Sequence, residues 1–278
     1  IVTGGGAPAS ATDPGRADAV ADALAATTAT VNHSIAPGVA EPNRSTAGTG
    51  RGSGDGIPEL HRTTHGSLAG LLARAATASS GVARGTGAPE EPLTPTRVGF
   101  RRAVADAVRA RTGAFVRIDA VWQPYPDAPV VGRVGVGPDP PGDAVHAATL
   151  TIPTGVEPIP AAATVTFETL GRAVAARTVE VLRPHGAARV TLRGDDPEAA
   201  LVAHRYARLA AATNASVAEP LATEDTAAAN ARIAEALGAR MATDLRSRYD
   251  HPGQAVEAVS VSSVRIVVRT WGDPTEGA

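Results

Sequence analysis

Between positions 55 and 67 fall Asp55, Glu59, His61, His65 and Ser67, the densest grouping of chemically capable side chains in the chain. On a helix, His61 and His65 would share one face and could ligate one metal, with Asp55 or Glu59 as an oxygen ligand. With Ser67 as a hydroxyl, the same stretch, Asp55, His61, His65 and Ser67, forms a candidate catalytic set for a hydrolase, with a neighbouring Gly-rich loop as its lid. An HExxH general base is absent, because Arg62 stands where that motif needs Glu. Two histidines without a cysteine make a poor transition-metal site, so neither a tightly bound metal nor a cofactor is expected. Ser34, Ser53 and Ser67 are the nucleophile candidates, and none lies in a GxSxG elbow.

The elements around these residues change character along the chain. Ile1-Val2-Thr3 and Gly4-Gly5-Gly6 read as a short strand and a tight turn. Asp13-Pro14 then marks a helix start, with Val20 and Leu24 one turn apart. The glycines are in neither a GxGxxG nor a P-loop frame, so the turn reads as ordinary. Residues 36–58 and 81–95 are rich in Gly and Pro and read as long loops. Helical spacing appears at Leu68, Leu71, Leu72 and Ala75, and again at Phe100, Val104 and Val108. From Val116 the period becomes two: Val116, Ile118, Ala120 and Trp122 share a face, and Val130 to Val136 is the expected return strand of a hairpin.

Asp139-Pro140-Pro141-Gly142 suggests a boundary, giving an N-terminal α/β unit over 1–142 and a C-terminal unit over 143–278. The second unit reads as βαβααβ. Its strands fall at Ala148 to Ile152, Ala188 to Arg193 and Ser262 to Thr270, and its first helix carries Leu170, Val174, Val181 and Leu182. Two further helices fall near 198–213 and 224–248. The expected class is therefore α+β, two units each built from a small mixed or antiparallel sheet covered by helices.

Composition narrows the function classes. The chain has 278 residues, a formal net charge of -2 and 43% hydrophobic residues. With only three Phe, three Tyr and two Trp, it lacks the rings on which bases stack, and its near-neutral charge implies no nucleic-acid partner. No run has the roughly 18 apolar residues of a membrane span. Cysteine is absent, which removes disulfides and thiolate chemistry. All 26 basic residues are arginine. High-GC codon usage explains that bias, and a secreted effector selected against lysine-directed tagging is the functional alternative.

Residues 148 to 270 resemble, in degenerate form, the OmpA-like domain, a peptidoglycan-binding type of module. The resemblance rests on Ile152-Pro153-Thr154-Gly155 and on the helix ending at Arg183-Pro184. It continues through Arg189-Val190-Thr191-Leu192-Arg193-Gly194-Asp195-Asp196, the stretch from Asn230 to Arg240, and Val264-Arg265-Ile266-Val267-Val268. It implies a peptide-stem ligand held by Asp196 and Arg240, and a protein or cell-wall partner in a secreted or cell-envelope setting. The expectation that follows is a noncatalytic binding or assembly component, with the hydrolase at His61/His65 as the alternative.

Overall fold

A computed structural model describes residues 15–35, 61–82, 93, 97–142, 145–160, 165–192 and 197–272. Among them the chain is α+β. The first half contains α1 (Gly15–Ala26), β1 (Thr28–Ser34), β2 (His61–Ser67), α2 (Leu68–Ala78), β3 (Gly81–Val82), α3 (Val98–Arg109), β4 (Val116–Trp122) and β5 (Val130–Val136). Then follow β6 (His146–Pro153), α4 (Phe167–Leu182), α5 (His185–Leu192), α6 (Pro197–Thr213), α7 (Ala218–Ala222), α8 (Thr226–Arg248), α9 (Pro252–Glu257) and β7 (Ser263–Thr270). The expected loops at 36–58 and 81–95, and the opening strand and glycine turn, lie largely or wholly outside the described residues.

Two antiparallel sheets form. In the smaller one β1 pairs with β2, with Thr28 opposite Ser67 and Ser34 opposite His61. The larger has the order β3-β5-β4-β7-β6. It takes β3, β4 and β5 from before position 142 and β6 and β7 from after it. β4 alternates strictly, with Val116, Ile118, Ala120 and Trp122 buried, and β7 buries Val264, Ile266 and Val268 on the same side. That period of two puts these buried side chains on one face, which α1, α2 and α3 cover. On the outer face, Asp119 accepts from Arg117 Nε at 2.8 Å and from Arg269 Nη1 at 2.6 Å.

Helices α4 and α8 make the most extensive helix contact, burying Leu170, Val174 and Val179 against Ile233, Leu237 and Met241. Thr166 caps α4 through a reciprocal Thr166–Thr169 box, and Asp225 caps α8. The strand expected over 188 to 193 is a correction. Residues 185–192 are helical, and Thr191 Oγ1 donates to Ala187 O at 3.1 Å in the turn before it. So short an alternating run fits either period, and with Ala188 buried the helix satisfies its backbone internally.

Candidate functional site

The histidine stretch adopts β2 rather than a helix. His61, Thr63 and His65 alternate outward and are exposed, while Arg62 and Thr64 turn inward. At about 3.3 Å per residue, four strand positions place the two histidine Cα atoms roughly 13 Å apart. That geometry does not bring His61 and His65 onto one ion. His65 Nδ1 instead faces Thr30 Oγ1 at 3.1 Å across the ladder. Ser67 Oγ accepts the Gly70 N–H at 3.1 Å and so caps α2. Asp55 lies outside the described residues, as does Asp196. Arg240 is exposed on α8, and its Nη1 donates to Ala212 O at 3.4 Å. No group of three or more His, Asp or Glu with metal-holding geometry exists among the described residues.

A different site forms where β1, β2 and the start of α3 meet α5 and α6. It is a cleft of about 280 Å³ whose polar lining includes His33, Arg62, Arg74, Arg97, Thr191 and Arg205. Three of the four arginines have a structural reason to be there. Arg62 is an inward position of β2. Arg74 is the single charge in α2, whose Leu71, Leu72, Ala73, Ala75 and Ala76 are all buried. Its guanidinium carbon stands 5.8 Å from the centre of the Phe100 ring, a cation–π distance. Arg97 directly precedes α3 with helical backbone and no side-chain cap. The junction is tight, since a Cβ at Gly99 would stand 2.3 Å from the Ser34 carbonyl oxygen, so only glycine lets β1 approach α3 so closely.

Electrostatics single out Arg97. Protein encloses most of its side chain, and burial first, then the Arg74 charge, lowers its pKa. Its own field contributes in turn to the lowered values of His33, Arg183 and Arg205. Arg183, buried at the end of α4, is pushed down to about 9 by burial, then by Arg205 and Arg97. Arg205 is pushed down to about 10 by burial and Arg97. Both stay protonated at neutral pH. A bridge of hydrogen bonds fixes the Arg183 backbone: Tyr206 OH donates to Asn230 Oδ1 at 2.9 Å, and Asn230 Nδ2 donates to Arg183 O at 2.8 Å. His33, tilted against Phe100 at 5.0 Å, is held below its usual 6.5 by burial and then by Arg97, Arg62 and Arg74.

Several described arginines find carboxylates: Arg109 with Asp106, Arg117 and Arg269 with Asp119, Arg248 with Asp244. Among the described residues, no carboxylate lies within ion-pair distance of Arg74 or Arg97, and none lines the cleft. A cation at a helix N-terminus also opposes the helix dipole. The arrangement therefore concentrates positive charge at three removes from comfort: enclosed, next to like charge, and at the wrong helix end. What it can do chemically is hold an anion.

Sequence reasoning passed over His33, Arg74, Arg97 and Arg205. Two signals were available: Arg74 interrupts an otherwise apolar helix, and Arg97 stands at a helix start where an acidic residue is the usual choice.

Fold and cleft together define an α+β protein with a cationic cleft between a two-stranded sheet and a helical layer. The chain belongs to the family of unknown function DUF7284, whose model matches residues 1–271. No curated protein and no solved structure matches it.

Proposed function

We propose that this chain is a noncatalytic binding protein whose ligand is a small anion held in the arginine-lined cleft. The observation that carries this reading is Arg97, an enclosed guanidinium beside Arg74 with no carboxylate at ion-pair distance among the described residues. An enclosed charge is costly unless paired, and here the cleft leaves room for the pairing group to come from outside. A noncatalytic role is supported by His33, the one titratable base among the described lining residues. Its Nδ1 is buried without a hydrogen-bond partner, so that nitrogen takes no proton from a cleft hydroxyl in this structure.

Thermal unfolding in sodium sulfate, compared with sodium chloride at equal ionic strength, tests the reading. A bound anion raises the midpoint by mass action, and at a hundredfold excess over its dissociation constant it adds about 2.7 kcal/mol. The rise should be absent in Arg97→Met. Equal midpoints in the two salts, with no anion showing saturable binding, would remove the reading.

A further inference from the structure

The geometry points to a phosphoryl group as the anion, a dianion offered by free phosphate or by a small phosphomonoester. This rests on the anion-binding reading and narrows it by charge, by donor count and by size.

Charge comes first. Arg74 and Arg97, which line the cleft, contribute two positive charges without a carboxylate partner among the described residues. A single carboxylate neutralises one of these. A phosphomonoester carries a charge of roughly −1.5 to −2 at neutral pH and presents three acceptor oxygens. Arginine's planar fork matches two such oxygens at once, so two forks grip a tetrahedral oxyanion from two sides.

The neutral donors agree. Thr64, an inward position of β2, lines the cleft on one side and Thr191 of α5 lines it on the other, where the Thr191 hydroxyl donates to Ala187 O. The N-terminal turn of α3 starts at the same place, with no acidic residue to satisfy it and no side-chain cap. The partial positive charge of that helix end favours an anion nearby.

Size and polarity exclude a bulky apolar body. The cleft, about 280 Å³, lies at or below the lower end of small-molecule sites, which run from roughly 300 Å³ upward. Its apolar lining residues are already committed to the core: Phe100 is 2% exposed, Leu201 3%, Val202 8% and Ile35 9%. Little greasy surface remains for a ligand to cover. A compact headgroup fits, with any remainder of the molecule directed to solvent.

Titration calorimetry on the full chain at pH 7.5 and constant ionic strength tests this, with inorganic phosphate, methyl phosphate and acetate as probes. Phosphate or methyl phosphate should bind at least tenfold more tightly than acetate. Arg97→Met and Arg74→Met should each weaken that binding tenfold or more with circular dichroism unchanged. Arg97→Lys, which keeps charge but loses the fork, should weaken phosphate binding as well. A stronger signal from methyl phosphate identifies an esterified ligand, and a stronger one from inorganic phosphate identifies the free ion. Acetate binding as tightly as phosphate would overturn the phosphoryl assignment while leaving anion binding intact. Saturable binding of none of the three probes, or binding that survives both methionine variants, would overturn both.

Discussion

Replacing Arg97 with methionine should make the unliganded protein more stable, by about 1–2 kcal/mol. Methionine keeps most of the volume of the arginine stem, so packing beside Phe100 and α3 is largely preserved. What disappears is the cost of enclosing a guanidinium, its repulsion with Arg74, Arg183 and Arg205, and an unfavourable cation at the start of α3. Replacing enclosed ionic groups by apolar residues of similar size is commonly neutral or stabilising by about 1–4 kcal/mol. The lower part of that range applies because Arg97 keeps some contact with solvent. Equilibrium urea unfolding at pH 7.5 in low chloride reads the difference as a higher midpoint at unchanged slope. Repeating it in sulfate should reverse the order, because only wild type gains the ligand's mass-action contribution. The reasoning is refuted if Arg97→Met is less stable than wild type without anions, or if sulfate stabilises both proteins equally.

Gly171→Ala should destabilise by about 2–3 kcal/mol, since its Cβ would stand 2.6 Å from the Ala242 nitrogen and force α4 away from α8. Gly186→Ala is the control, with nothing within 4 Å, and urea unfolding should show it neutral or slightly stabilised. The folded-state pKa of His33 is depressed, so its contribution to stability is present above 6.5 and is lost as pH falls through the depressed value. His33→Asn should flatten the fall in urea midpoint between pH 7.5 and 5, and an unchanged slope would contradict this. Trp122→Phe removes a buried 3.0 Å hydrogen bond from Nε1 to Val261 O, while Thr154 Oγ1 still donates to that carbonyl at 3.3 Å. A loss of about 1–1.5 kcal/mol in denaturation is therefore expected, rather than the larger loss of an orphaned carbonyl. Arg240→Ala should leave any co-sedimentation with purified cell wall unchanged. A loss of saturable binding would favour the peptide-stem ligand.

Much of the helical and hairpin structure was legible because it is local. Phe100, Val104 and Val108 mark α3 by spacing alone, and the alternation of Val116, Ile118, Ala120 and Trp122 marks β4. Strands β1 and β2 were not readable. TATVNHS and HRTTHGS are mostly polar, and only Ala29 and Val31 are buried between them. Their pairing is a long-range fact that no local pattern carries. The same holds for the sheet order, because nothing near position 142 says that β7 will lie between β4 and β6. The cleft was least visible of all, since its arginines come from β2, α2, the start of α3, and α6. Grouping by sequence proximity selected Asp55 to Ser67 instead, and β2 then turned His61 and His65 outward.

The place of β7 also bears on how the chain acquires its structure during synthesis. It is the last described element, yet it lies inside the sheet, with Val116 opposite Thr270 and His146 opposite the same residue. Until residues 263–270 leave the ribosome, β4 has one neighbour and β6 has none. Translation at about 5–20 residues per second leaves the β4 edge waiting for about 7–30 seconds, with Ile118 and Ala120 lacking Val268 and Ile266 beside them. An unpaired apolar edge invites pairing with another chain. Premature termination anywhere before position 263 should therefore yield aggregates rather than a smaller folded protein, and ribosome-tethered chains should gain protease resistance abruptly once residues 263–270 have emerged.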